Sequence, residues 1–228
     1  MSTELLFFDH YEKQDLQIIV GHGRGVVFLE TLKRLRWGRM FVFEKPDPYE
    51  GEPWGFDNGA FVFWSKGQSF NEDLYKKNLD RAARLKSIPH LAVVPDIVAG
   101  GLKSLDFSLR WRDRMPEHWP LYLAVQDGMT IADIESVIKR FDGLFLGGSD
   151  SFKKTAPEWS RLAHEWGKKF HYGRAGTLKK LGLAKEAGAD SLDSTSMIRT
   201  WGKVDAFVSR LNQADPQLAL FAQSEAQQ

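Results

Sequence analysis

The chain has 228 residues, 43% of them hydrophobic and 27% charged, which is typical of a folded globular protein and excludes a disordered one. Its formal net charge of +1 excludes binding to nucleic acid by bulk charge, so such binding would need a local basic patch. The chain has no cysteine, which excludes disulfides, thiolate zinc sites and a cysteine nucleophile, and it has no run of about 20 apolar residues that could cross a membrane.

The first apolar runs of the chain predict β-strands, and a helical pattern follows them. Residues 5–8 fit a short strand, residues 16–20 fit a better one, and residues 26–37 have the spacing of a helix. Residues 21–25, Gly-His-Gly-Arg-Gly, form the turn between them. Such a turn either cradles a phosphate with its backbone N–H groups or is simply tight, and its spacing matches neither nucleotide-binding fingerprint.

A proline-containing loop and a basic helix come next. Residues 41–53 carry three prolines and several acids, and they predict a loop across one mouth of the domain, where it could act as a lid. Residues 71–86 predict a helix that Asn71 caps. One face of this helix is apolar, and the other is either solvated or a contact for a nucleic-acid backbone. The basic residues on that face are Lys76, Lys77, Arg81, Arg84 and Lys86.

The remaining chain alternates strands with helices in units of about 20–30 residues, which predicts a parallel sheet with right-handed crossovers. The strands are predicted at 91–95, 121–125, 144–146, 170–172 and 188–195. The helices are predicted at 103–114, 131–141, 155–168 (with Thr155 and Glu158 as a capping box), 177–187, and from about Met197 or Lys203 to Leu211.

We therefore predict an α/β fold, a (β/α)8 TIM-like barrel that is compact or partly incomplete. A doubly wound open sheet is the second choice, because 228 residues is short for a full barrel. The predicted domain spans residues 1–214, and residues 215–228 are predicted to be a flexible tail. The start of the chain lacks a signal peptide pattern, so we expect a cytoplasmic protein, in the host cytoplasm if the source is viral.

Polar groups stand at the ends of successive predicted strands, where a (β/α) barrel carries its active site. They are Asp57, which ends a strand predicted from residue 54, and then Asp96, Gln126, the pair Gly147 and Gly148, and Asp193. One aspartate can attack an anomeric carbon while another serves as acid and base, and carboxylate, amide and backbone N–H groups together can read the edge of a purine. The alternatives are a magnesium site made by the three carboxylates, and aspartates that only cap helices.

Six segments of the chain resemble motifs of the tRNA-guanine transglycosylase superfamily and follow one another in the same order as those motifs. Within that superfamily, the sequence is most similar to the small DpdA-like branch, which places 7-deazaguanine in DNA. The likeness covers roughly residues 54–200. The segments are Asp57–Phe61, Pro95–Asp96, Val125–Met129, Phe145–Gly148, Tyr172–Gly176 and Asp190–Ser194.

The resemblance implies a role for each matched residue. Asp193 would be the nucleophile and Asp57 the general acid and base, while the exchanged base would be held by Asn58, Asp96, Gln126, Gly147 and Gly148. The implied partners are DNA, or alternatively tRNA, and a 7-deazaguanine base, with helper proteins or a homodimer as further options. The implied reaction uses no cofactor and no metal. Contacts to the nucleic-acid backbone are expected from Lys153, Lys154, Arg174 and Arg199.

Three departures from the family pattern favour DNA over tRNA. The cysteine zinc site of the tRNA enzymes has no counterpart, Asp127 replaces a family glycine, and residues 195–199 replace a basic tract. The rival hypotheses are a minimal RNA transglycosylase, a non-catalytic nucleic-acid-binding subunit of a DNA-modification complex, and an unrelated barrel enzyme for a sugar phosphate. The last of these would need a phosphate site at residues 173–176.

Overall fold

The computed structural model describes residues 16–196 and 202–212. Within them, eight parallel strands form a closed barrel in sequence order, which confirms the predicted TIM-like fold and excludes the open sheet. The strands are β1 (Gln17–Gly21), β2 (Gly38–Phe41), β3 (Gly55–Phe56), β4 (Leu91–Val93), β5 (Leu121–Val125), β6 (Gly143–Leu146), β7 (Lys169–Tyr172) and β8 (Ser191–Ser194).

Helices cover the outside of the barrel. They are α1 (Val26–Leu35), α2 (Ala60–Trp64), α3 (Glu72–Ala82), α4 (Leu102–Arg112), α5 (Ile131–Glu135), α6 (Ala156–Glu165), α7 (Leu178–Glu186) and α8 (Gly202–Asn212). Two 3-10 turns, Ile138–Arg140 and Phe152–Thr155, lie between them. No helix among these described segments is both long and apolar enough to span a membrane.

Alternation along each strand divides the apolar side chains into two cores. In β1, Ile18 and Val20 pack outward against the helices, while Ile19 points into the barrel. At some inward-facing strand positions the barrel interior has no space for a side chain, and glycine occupies those positions. A Cβ on Gly143, for example, would lie 2.4 Å from the Tyr122 ring. The inner cluster comprises Ile19, Met40, Leu91, Val93, Tyr122 and Ala124, with Phe145 packed against it.

The barrel closes where β1 pairs with β8. Gln17 is in register with Ser191, and Ile19 is in register with Asp193. The pairing fixes the direction of the Asp193 side chain, because its partner in register, Ile19, belongs to the inner cluster. Asp193 therefore points inward at the carboxyl end of the barrel.

The segment between β2 and β3 differs from its prediction. Sequence analysis missed β2 and predicted residues 41–53 as a loop that could act as a lid. A loop does join β2 to β3, but consecutive parallel strands require it to return from the carboxyl end to the amino end of the barrel. It does so without a helix. Arg39, buried on the outer side of β2, pairs with Glu52 at 2.8 Å, and the Tyr49 hydroxyl donates to the Trp37 carbonyl at 2.7 Å.

Two helices also differ from their predictions. The predicted helix 131–141 stops at Glu135 and continues only as a 3-10 turn. The capping box at Thr155 is wrong, because its hydroxyl donates to the Phe152 carbonyl and accepts from Trp159 instead of capping the helix. The predicted strand at 5–8, the residue Arg199 and the predicted tail 215–228 lie outside the described residues, so those predictions stay predictions.

Candidate active site

A cavity of about 430 Å3 opens at the carboxyl end of the barrel. Its walls come from residues within or just after the carboxyl ends of strands β3 to β8, so the fold brings together side chains that are far apart in sequence. Eight residues predicted for the site line this cavity: Asp57, Asn58, Asp96, Gln126, Gly147, Gly148, Arg174 and Asp193.

Asp193 is fixed by two hydrogen bonds to the same carboxylate oxygen. Its Oδ1 accepts from His171 Nε2 at 3.1 Å and from the Arg174 backbone N–H at 2.9 Å. Burial raises the pKa of Asp193, but these hydrogen bonds and the nearby charge of Lys153 outweigh it and hold the pKa below its usual value. Asp193 is therefore ionised at neutral pH, and neither of these two hydrogen bonds uses Oδ2.

His171 is a site residue that sequence analysis missed. Its imidazole is fully buried, lies against the Phe145 ring with a centroid distance of 4.7 Å, and has Nδ1 2.8 Å from Ser191 Oγ. Burial lowers the pKa of His171, so the ring is neutral. A neutral ring that accepts from the Ser191 hydroxyl carries its proton on Nε2, which then donates to Asp193. The signal was present in the sequence, because alternation in β7 turns residue 171 inward.

Asp57 stands at the end of β3 in a setting that favours its protonated form. Burial, together with the charges of Asp193 and Asp96, raises its pKa to about 7, although the Gly59 N–H and the Arg174 charge act in the opposite direction. The Gly59 N–H donates to Asp57 Oδ1 at 2.6 Å. A group with a pKa near 7 exchanges its proton readily at neutral pH, as a general acid and base must.

Asp96 lies at the centre of a polar network. Its Oδ1 accepts from Asn58 Nδ2 at 2.8 Å and its Oδ2 from Gln126 Nε2 at 3.3 Å. Burial raises its pKa to about 6, and the bonds from Asn58 and Gln126 limit the rise. Asp96 is thus mostly ionised at pH 7 and, since each carboxylate oxygen accepts two bonds, it has acceptor capacity left for a ligand.

Both ends of the Gln126 amide already make hydrogen bonds within the protein, so it has less capacity to bind a base than the prediction assumed. Its Oε1 accepts from the Ala99 N–H at 2.6 Å, and its Nε2 donates to Ser104 Oγ at 2.8 Å. Ala99 itself has a φ of 58°, which is unusual for a residue with a side chain. Gln126 therefore shapes the loop after β4 in addition to lining the cavity.

Gly147 and Gly148 were both predicted to hold the base through their backbone, but the structure gives the two residues different roles. The Gly147 N–H donates to the Val125 carbonyl at 2.9 Å, so it belongs to the barrel. Gly148 has a φ of +73°, and a Cβ there would lie 2.7 Å from Asp127 Oδ2. Asp127 in turn accepts from the Ser149 N–H at 2.7 Å and from its hydroxyl at 2.6 Å. The Asp127 side chain thus builds part of the cavity rim.

The four residues predicted to contact a nucleic-acid backbone have different surroundings. Arg174 is exposed at the cavity rim, where its guanidinium lies 4.3 Å from the Phe61 ring centroid and donates to the Gly148 carbonyl. Lys154 is also exposed, but it does not line the cavity. Arg199 lies outside the described residues.

Lys153 does not fit the predicted role. Its side chain is 1% exposed, its ammonium group donates to the Gly173 carbonyl, and it sits 5.0 Å from the Tyr172 ring centroid. Burial, reinforced by the charge of Arg174, lowers its pKa to about 7. The ammonium group cannot reach a phosphate from this position. It instead supports the turn that carries Arg174.

The other ligand sites weighed from the sequence receive little support. Across residues 16–196 and 202–212, no three His, Asp or Glu side chains converge as a metal ion would require. Residues 21–25 do not line the cavity, and the Gly23 carbonyl accepts from Arg39 at 3.0 Å. On α3, Lys76 lies 3.6 Å from Glu72, as expected for a solvated helix face.

Comparisons with protein-family models and with curated proteins give no match to this chain. The assignment of function therefore depends on the geometry of the cavity and on the residue motifs.

Proposed function

We propose that this protein is a transglycosylase that exchanges guanine in DNA for a 7-deazaguanine base, such as 7-cyano-7-deazaguanine, through a covalent intermediate on Asp193. The observation that carries the proposal is a pair of carboxylates in one cavity with opposite pKa shifts. Asp193 is held ionised while the pKa of Asp57 is raised to about 7. Enzymes that need both a nucleophile and a general acid set the pKa values of two carboxylates apart in this way.

In the first step, Asp193 Oδ2 attacks C1′ of the target nucleotide and the bond from C1′ to the base nitrogen breaks. Asp57 donates its proton to the departing guanine, which leaves as a neutral base. The neutral His171 and the Arg174 N–H hold Oδ1 in place during the attack. The product of this step is an ester between the sugar and Asp193.

In the second step, the incoming deazaguanine gives its N9 proton to Asp57, and N9 attacks C1′ from the opposite side to Asp193. The ester bond breaks and Asp193 returns to the ionised form. Two displacements restore the original configuration at the sugar, as in retaining glycosidases. All atoms and protons balance with Asp57 and Asp193 alone, so the proposal calls for no cofactor.

Recognition of either base is assigned to Asp96. The Watson–Crick edge of guanine presents two neighbouring N–H donors, and an ionised carboxylate is their natural acceptor. Asn58 fixes the orientation of Asp96 through Oδ1, and Gln126 does so through Oδ2. The target nucleotide must leave its stack to reach this cavity, which costs a few kcal/mol in a duplex and less in a single strand.

The test is an exchange assay with purified protein, radiolabelled guanine or 7-cyano-7-deazaguanine, and either DNA or bulk tRNA. We expect label to enter DNA, and Asp193→Asn to abolish the exchange without unfolding the protein. Denaturing electrophoresis of the wild-type protein with DNA and no added free base should show a covalent adduct, and Asp193→Asn should show none.

Three results would change the proposal. Label in tRNA alone would assign the protein to the RNA-modifying branch. Full exchange by Asp193→Asn would remove the nucleophile from the mechanism. Binding of nucleic acid with no exchange in either polymer would favour the non-catalytic subunit.

A further inference from the structure

Two large aromatic side chains are exposed at the mouth of the cavity. Trp64 is 51% exposed and Phe61 is 41% exposed, and their ring centroids are 5.6 Å apart with an interplanar angle of 33°. Both rings line the cavity. The Arg174 guanidinium covers Phe61, so a cation stands beside the aromatic pair. Apolar rings exposed next to a cation are the usual means by which proteins hold unstacked nucleobases.

A second cavity of about 300 Å3 lies on the other side of Trp64. It is formed by α2, the start of α3 and the loop after β4, and it shares Trp64, Asp96 and Val98 with the first cavity. Phe70 and Phe107 give it aromatic walls. The polar side chains of Gln68, Ser69 and Glu72 supply hydrogen-bonding groups at its edge.

We propose that this second cavity binds the nucleobase adjacent to the exchanged one in the same strand, with Trp64 stacked on that base. The inference rests on the proposed function and deepens it, because it makes the substrate a polynucleotide with two neighbouring bases splayed apart. A planar ring with an apolar face and a polar edge matches the walls and rim of the cavity. The shared wall places the two binding positions side by side, as consecutive nucleotides require.

Two consequences distinguish this site from a general nucleic-acid patch. The side chain of Gln68 offers both a donor and an acceptor, so the site can prefer some neighbouring bases over others. Arg174 lines the first cavity and lies over Phe61, so we expect its guanidinium to contact the phosphate that links the two nucleotides. The enzyme would then select its target guanine partly by the base next to it.

The experiment uses single-stranded oligonucleotides with one guanine and an abasic residue on its 5′ side, on its 3′ side, or on neither. For the wild-type protein we expect kcat/KM to fall roughly tenfold when the abasic residue is on one side, and to change little when it is on the other. Trp64→Ala should lower kcat/KM on the intact oligonucleotide by a similar factor and abolish the difference between the three. Trp64→Phe should retain most of the preference.

Ile88→Ala is the matched control, since Ile88 is 53% exposed and precedes β4 at the opposite end of the barrel. Fluorescence anisotropy with the same oligonucleotides measures binding independently of base exchange. Absence of exchange would therefore overturn the proposed function, while the binding measurements would still test the second base site. Equal affinity of Trp64→Ala and wild type for all three oligonucleotides would overturn the second base site. A change in oligomeric state in Trp64→Ala, with unchanged oligonucleotide binding, would assign the surface to protein contact and also overturn it.

Discussion

His171 and Asp193 are joined by a hydrogen bond of 3.1 Å between a wholly buried imidazole nitrogen and a carboxylate oxygen at the cavity. Because burial keeps the imidazole neutral, His171 supplies a donor without adding a charge. It acts as a positioning residue, since it reaches the proposed chemistry only through Asp193.

His171→Leu should lower kcat about 10- to 100-fold, which is the effect of losing a hydrogen bond to a charged group. The pKa of Asp193 should rise toward its ordinary value, which NMR titration of its carboxyl group measures. His171→Gln places an amide N–H near the position of Nε2 and should recover part of the activity. A loss of activity with the same Asp193 pKa in all three proteins would mean that His171 acts only through packing.

The pH profile of exchange should be a narrow bell. On the acidic side, kcat/KM should rise as Asp96 ionises, with its pKa raised to about 6 by burial. On the alkaline side, it should fall as Asp57 loses its proton near its pKa of about 7. The charge of Arg174 lowers the pKa of Asp57, so Arg174→Gln should move the alkaline limb to higher pH. An alkaline limb that does not move in this variant would argue against Asp57 as the acid.

Asp57 should also make stability depend on pH. Its folded pKa of about 7 lies above the ordinary value of 3.8, so the folded protein binds the proton more tightly than the unfolded chain does. This contribution to stability is complete at low pH and is lost as the pH rises toward 7 and above. Asp57→Asn should therefore raise the free energy of unfolding by ~2 kcal/mol at pH 8 and leave it unchanged at pH 4. Thermal unfolding at the two pH values provides the measurement, and an equal effect at both would contradict the assignment.

Gly148 is expected to resist substitution for two separable reasons. Its φ of +73° disfavours any side chain, and a Cβ would also approach Asp127 Oδ2 to 2.7 Å. Gly167 has a similar φ of +64° with no atom within 4 Å of the same position, so Gly167→Ala measures the backbone effect alone, about 1 kcal/mol. In urea unfolding, Gly148→Ala should cost more than that and should also reduce exchange. Equal losses in both variants would mean that the rim around Asp127 adapts freely.

Glu52 should be among the more sensitive positions outside the cavity. Its side chain is 0% exposed and pairs with Arg39, which is 1% exposed. Glu52→Ala leaves a buried guanidinium without its main partner and should cost about 3–5 kcal/mol. Glu72→Ala, which removes a surface pair with Lys76, should cost less than about 1 kcal/mol. Similar unfolding midpoints for the two variants would show that Arg39 finds other partners.

The sequence predicted best those strands that are apolar from end to end. Leu121–Val125 matched its predicted bounds, because five buried residues stand between a proline and a turn. The strand Gly38–Phe41 was missed because Arg39 interrupts its apolar pattern. The buried Arg39 pairs with Glu52 and Asp47, which lie later in the chain, and with the Gly23 carbonyl, which lies earlier, and such tertiary partners leave no mark on local periodicity.

The same reasoning explains the results for the cavity. Asp57, Asp96 and Asp193 were predictable because each ends a strand, and parallel strands end on one face. Lys153 was placed on the surface because lysine is usually exposed, and only the packing of the turn at Gly173 buries it. His171 was passed over although alternation turns it inward, because alternation alone does not distinguish a site residue from a core residue.

The seam between β1 and β8 has a consequence for the order in which the protein is made. These strands pair residues about 174 positions apart in sequence, such as Gln17 with Ser191. A ribosome must therefore synthesise nearly the whole described barrel before its first strand meets its last. Asp193 arrives on that last strand, so the proposed nucleophile enters the cavity at the moment the ring of strands is completed. Shorter translation products would carry the groups proposed to bind the base and would lack the proposed nucleophile.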